Sequence, residues 1–169
     1  MDRGIEWLNS LPVEQADEEF LKCCGSSRWA CTMTLERPFT AVDKLVAAAD
    51  RVWWSLAKED WLEAFRSHPK IGERKAEKTQ SADAKAWSKQ EQSGIRASAD
   101  ETMSTLAAAN EAYFNRFGYI FIICATGKTA DEILANLRQR LTHTPDEELR
   151  IAAEEQNKIT QLRLGKLIN

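Results

Sequence analysis

All four prolines of this chain (Pro12, Pro38, Pro69 and Pro145) fall where a helix could begin or end, and the stretches between them carry helical periodicity. A proline inside a helix removes one backbone hydrogen bond and clashes with the preceding turn, so this placement leaves every intervening segment free to be helical. After Thr40, apolar residues recur at Val42, Leu45, Val46, Ala49 and Trp53, the spacing of one helical face. Ser98 with Glu101, Thr129 with Glu132 and Thr144 with Glu147 each match a capping box, and Pro145 sits at a first helical position. Gly94 and Gly118 stand where C-terminal caps belong. No alternating pattern of useful length marks a strand. The apolar run Tyr119-Ile120-Phe121-Ile122-Ile123-Cys124 has the composition of one but lacks a partner, and it reads as a buried connector. The expectation is an all-α fold: a single domain over residues 1–169, built as a bundle of about seven or eight helices.

Charge and cysteine content exclude several classes of function. A net charge of −3 gives no broad basic field for nucleic acid, and no apolar run approaches the length of a membrane span. The first residues carry no signal-peptide pattern, and the last three, Leu167-Ile168-Asn169, no peroxisomal or lipidation signal. The reading is cytoplasmic. Cys23, Cys24, Cys31 and Cys124 contain no Cys-x-x-Cys spacing, and only two histidines accompany them, so no metal site is expected. Buried free thiols are the default, and Cys124 in its apolar run is no candidate nucleophile.

The chemistry-bearing candidates begin at His68-Pro69-Lys70-Ile71-Gly72, just past a helix containing Trp61-Leu62-Glu63-Ala64-Phe65. A residue before proline is biased out of the helical region, and Gly72 permits a sharp turn, so His68 is held on a stiffened loop. An imidazole so held suits acid/base work near neutral pH. Ser81 and Gly94 bracket a helix over 82–93, on which Ser88, Glu91 and Gln92 share one face and could hold a polar, ureide-like ligand. On the last helix, Gln156 and Arg163 lie on the apolar stripe of Leu149, Ala152, Ala153, Ile159, Thr160 and Leu167. A guanidinium there must be paired or serve a bound anion. The charged stretch 73–80 reads as a surface loop that could cover a site, and His143 as exposed. Two stretches are set aside. Ala125-Thr126-Gly127-Lys128-Thr129 lacks the first glycine and βαβ context of a phosphate loop. Met103, Leu106, Asn110, Tyr113, Phe114 and Phe117 form helical core rather than a cofactor site.

The order of these pieces resembles one family. Arg37-Pro38-Phe39, His68-Pro69-Lys70-Ile71-Gly72, Ser88-Lys89-Gln90-Glu91-Gln92-Ser93-Gly94, Asn115-Arg116-Phe117-Gly118, Phe121-Ile122-Ile123-Cys124-Ala125 and Leu162-Arg163-Leu164 are similar to the OHCU decarboxylases of urate catabolism. The resemblance covers nearly the whole chain. It implies a cofactor-free, homodimeric, all-helical decarboxylase that turns 2-oxo-4-hydroxy-4-carboxy-5-ureidoimidazoline into (S)-allantoin. It also implies His68 as catalytic acid/base with Glu91, and substrate contacts from Pro69, Ser88, Lys89, Gln90, Gln92, Phe121, Ile122, Ile123, Cys124, Ala125 and Arg163. Many relatives have arginine where this chain has Thr126. Two other classes fit the same residues: a helical interaction module without catalysis, and a ureide or amidine hydrolase that activates water.

Overall fold

The computed structural model describes residues 2–72, 81–95 and 100–169, so the 73–80 loop and the Ser98 half of the Ser98–Glu101 box lie outside the described residues. The described residues form α-helices joined by turns and irregular segments, with no strand. The helices are α1 (Arg3–Ser10), α2 (Val13–Cys23), α3 (Ser27–Leu35), α4 (Val42–Ser55), α5 (Lys58–Arg66), α6 (Ala82–Glu91), α7 (Asp100–Phe117), α8 (Ala130–Arg140) and α9 (Pro145–Ile168), with a 3₁₀ turn at Ser93–Ile95. Nine α-helices among the described residues correct the expected seven or eight. The start of the chain holds three short helices, broken at Leu11-Pro12 and again at 24–26. The Asp2 carboxylate accepts from Gly4 N–H at 2.9 Å to open α1, and Ser26 Oγ accepts from Trp29 N–H at 3.3 Å to open α3. Among the described residues no helix is long and apolar enough to cross a membrane.

The chain divides into two compact units, Met1–Ala64 with Asn157–Asn169, and Phe65–Gln156. In the first, α2 packs on α3 and α3 on α4. Phe20 meets Trp29 and Phe39 edge-to-face, at 5.8 and 6.4 Å between ring centroids. Trp29 Nε1 donates to the Ala49 carbonyl at 3.2 Å, which satisfies the polar edge of a fully buried indole. Arg37 Nη1 donates to the carbonyls of Leu8 and Leu11, both at 2.8 Å, closing the end of α1. The Arg37-Pro38-Phe39 motif is thereby accounted for as structure. Of the α4 stripe, Leu45, Ala49 and Trp53 are buried, Val42 is half-buried and Val46 is exposed, while Ala48 and Val52 join the buried face.

In the second unit α7 packs on α8. Two of the three expected capping boxes form among the described residues. Thr129 Oγ1 accepts from Glu132 N–H while Glu132 accepts from Thr129 N–H at 2.8 Å, an arrangement worth about 1 kcal/mol. Thr144 N–H likewise donates to Glu147 at 2.9 Å ahead of Pro145. Gly118 closes α7 with φ +80°, its N–H donating to Phe114 O at 2.8 Å.

Gly94 corrects its expected role. It lies inside the 3₁₀ turn without a positive φ, and α6 already ends at Glu91 rather than at 93. What requires glycine is space: a Cβ there would stand 2.6 Å from the Lys128 carbonyl oxygen. Gly94→Ala is therefore expected to destabilise the protein by about 1–3 kcal/mol, read as a lowered denaturation midpoint. A midpoint equal to wild type would show that this close approach does not matter.

Candidate active site

The His68 loop is fixed from three sides within the second unit. Just past α5, His68 N–H donates to Phe65 O at 3.2 Å, and Pro69 and Ile71 are buried beside it. The turn then closes at Gly72 with φ +87°, in the left-handed region that glycine adopts without strain. Gly72 N–H donates to Gln92 Oε1 at 3.0 Å, which ties the loop to the end of α6. Asn110 Nδ2, from the otherwise apolar face of α7, donates to Ile71 O at 3.1 Å. His68 itself is 8% exposed, and its Nε2 lies 2.7 Å from Gln156 Oε1 on α9.

On α6, whose Ser81 cap forms as expected with Ala84 N–H at 3.2 Å, Ser88 and Glu91 are buried one turn apart. Gln92 is half-buried at the helix end, while Lys89 and Gln90 are exposed. Five residues of one motif thus separate into a buried polar pair, a loop anchor and two residues turned to solvent.

Residues 119–125 are buried along their whole length and belong to no helix or strand, as the sequence suggests. A buried backbone outside regular structure must place its polar groups elsewhere. Cys124 N–H donates to Glu155 Oε2 at 2.9 Å, Cys124 O accepts from Lys128 Nζ at 2.8 Å, and Ile122 O accepts from Arg140 Nη1 at 2.6 Å. Consecutive residues of α9, Glu155 and Gln156, therefore hold the connector and the imidazole respectively. His68 and the connector meet at one turn of α9.

Burial, with Glu155 next in effect, raises the Cys124 thiol above its ordinary value. Burial also pushes Cys24 up to about 12 and Cys23 still higher. Cys31, by contrast, is exposed, a departure from the expectation of buried thiols throughout. Because the thiolate is the reactive form, iodoacetamide is expected to modify Cys31 well before the other three in the native protein, read by peptide mass spectrometry. Equal modification of Cys124 would refute this.

Arg163 belongs to the first unit, where it is 2% exposed and its Nη1 donates to Lys22 O at 3.2 Å. Burial on the apolar stripe is as expected, and a helix-terminal carbonyl is one of its partners.

Sequence reasoning missed a second buried polar cluster. Arg140 and Glu148 are 3% and 0% exposed, with Arg140 Nε donating to Glu148 Oε1 at 2.7 Å. Tyr113 Oη donates to the same oxygen at 2.5 Å, and His143 Nδ1 lies 3.1 Å from Glu148 Oε2. The guanidinium also stacks over Phe121, 4.4 Å from its centroid. His143 is half-buried and engaged, not exposed as expected. The single sequence signal was an Asp/Glu-rich first turn of α9, indistinguishable from ordinary helix-dipole placement.

A family model described as OHCU decarboxylase matches residues 9–165 of this chain, spanning both units. The chain belongs to the OHCU decarboxylase family. It is 35% identical over 163 residues to the 2-oxo-4-hydroxy-4-carboxy-5-ureidoimidazoline decarboxylase of Haloferax volcanii, covering 96% of this chain and 94% of that protein. It is 37% identical over 160 residues to the uric acid degradation bifunctional protein TTL of Arabidopsis thaliana, covering 94% of this chain but about half (49%) of that longer relative. A crystal structure of OHCU decarboxylase in the presence of (S)-allantoin superposes with a TM-score of 0.77 at 37% identity, covering 89% of this chain and 97% of that one. An (S)-allantoin synthase structure, 22% identical with a TM-score of 0.73 over 98% of this chain and 53% of its own, shares the fold. Within the OHCU decarboxylase family, then, the helical architecture expected from the sequence is shared.

Proposed function

We propose that this protein converts 2-oxo-4-hydroxy-4-carboxy-5-ureidoimidazoline into (S)-allantoin, by decarboxylation without a cofactor, in urate degradation. The observation that carries the reading is the meeting of His68 and the 121–125 connector at one turn of α9, in a chain 37% identical to an OHCU decarboxylase crystallised in the presence of (S)-allantoin.

Loss of carbon dioxide leaves an electron pair that needs a sink, which pyridoxal phosphate or thiamine supplies in other decarboxylases. In this substrate the carbon that bears the carboxylate also bears a hydroxyl and adjoins a ring C=N bond. The electrons of the breaking C–C bond form a new C=C bond, and the C=N pair moves onto nitrogen, which takes a proton. The resulting enol then loses its hydroxyl proton to become a carbonyl while the neighbouring ring carbon gains a proton, giving allantoin. His68 and Glu91 act on that hydroxyl, and delivery of the carbon proton from one face sets the S configuration. Ile122 and Cys124 commit backbone groups to Arg140, Glu155 and Lys128, and the groups of Phe121 and Ile123 are assigned here to the ring and ureide of the substrate. The reading includes a homodimer, tested by the mass in solution.

The test is circular dichroism of allantoin formation, with substrate generated in place from urate by urate oxidase and hydroxyisourate hydrolase. An enzyme-dependent rise in the (S)-allantoin signal with release of carbon dioxide is expected. A signal no faster than the spontaneous reaction would overturn the reading, and ureide cleavage without carbon dioxide would favour the hydrolase.

A further inference from the structure

We infer that Gln156 is a positioning residue that fixes the His68 imidazole as its Nε2–H tautomer, so that Nδ1 is the atom that exchanges a proton during turnover. The inference rests on the acid/base role proposed for His68 and names the atom that performs it.

Gln156 is fully buried, and its Oε1 lies 2.7 Å from His68 Nε2. That separation is at the short end of the range for an N–H···O bond. An amide oxygen can only accept, so Nε2 must carry the hydrogen. A neutral imidazole has one N–H, and its lone pair therefore resides on Nδ1. The surroundings add to this restraint: the pre-proline position and the Gly72 and Asn110 hydrogen bonds hold the loop, and burial of the imidazole limits rotation of the ring. The role is distinct from catalysis proper, because Gln156 acts through the imidazole. A base oriented by a third group is the recurrent arrangement in which loss of the orienting group leaves the base in place with its proton on the wrong nitrogen.

The chain has only two histidines, His68 and His143, so ¹⁵N labelling of histidine yields four ring nitrogens, and His143→Gln assigns them. In the unliganded wild-type enzyme at a pH where His68 is neutral, the expected pattern is a pyrrole-like Nε2 and a pyridine-like Nδ1. Gln156→Met, which keeps the length of the side chain without the acceptor, is expected to give a mixture of tautomers. It is also expected to lower kcat about tenfold or more while changing KM less than about threefold. A pyridine-like Nε2 in the wild type, or an unchanged tautomer in Gln156→Met, overturns the inference, and the first of these needs no variant to fold. A tautomer that shifts while kcat stays at the wild-type level supports the assignment and overturns instead the acid/base role of His68.

Discussion

Replacing His68 by asparagine is expected to lower kcat for (S)-allantoin formation by about 10²–10⁴-fold, the range a positioned acid/base group contributes. The expectation follows from position as much as from residue type. His68 is 8% exposed, its backbone is set by Pro69 and Gly72, and its ring is held by Gln156 at 2.7 Å, so no other imidazole can take its place. The second histidine is committed to Glu148 at 3.1 Å. Removing the ring also takes from buried Gln156 its bond to Nε2, which costs about 1–3 kcal/mol of stability without abolishing the fold. Circular dichroism of the folded variant, followed by the coupled allantoin assay, separates the two effects. A folded His68→Asn variant with near wild-type kcat would remove His68 from the chemistry.

Glu148→Gln is expected to destabilise the protein strongly. The side chain keeps its shape and loses its charge, and the Arg140 guanidinium, 3% exposed, is left buried without its counterion. Breaking a buried ion pair from one side costs about 3–5 kcal/mol. For a chain of this length that corresponds to a fall in Tm of about 10 °C. A second consequence follows from geometry. Arg140 Nη1 also holds Ile122 O at 2.6 Å and stacks on Phe121, so loosening the guanidinium loosens the connector proposed to meet the substrate. KM is expected to rise in the variant at temperatures where it remains folded. A Tm within about 2 °C of wild type would mean that Tyr113 and His143 compensate for the lost charge, contrary to this account.

Local signals were legible where the physics that produces them is local. Thr129 with Glu132 and Thr144 with Glu147 cap their helices because both partners lie within one turn. Gly118 closes α7 because the left-handed conformation needs no neighbour other than the preceding turn. Helix number was less legible: Pro12 marks the break between α1 and α2, but the break between α2 and α3 depends on a single short side chain, Ser26, at an ordinary-looking position. Gly94 looked like a cap and proved to be a contact, because what it touches, the Lys128 carbonyl, is 34 positions along the chain and no local pattern announces it. The polar face of α6 was legible as a spacing, yet the division into buried Ser88 and Glu91 and exposed Lys89 and Gln90 depends on what packs against the helix.

By itself the sequence determined the helical class, most helix ends, the stiffened turn that carries His68, the buried connector at 119–125 and, through the order of its motifs, the family. Those features follow from interactions spanning a few residues or from patterns that survive as a linear string. Only the tertiary structure decided that Gln156 meets His68 across 88 positions, that Asn110 anchors Ile71 across 39, and that Glu155 holds Cys124 across 31. It alone placed Arg140 and Glu148 in the interior beside the connector. A polar side chain on a helix reads the same in sequence whether it meets water or a buried partner. The difference is made by desolvation, which acts only once distant segments have packed together.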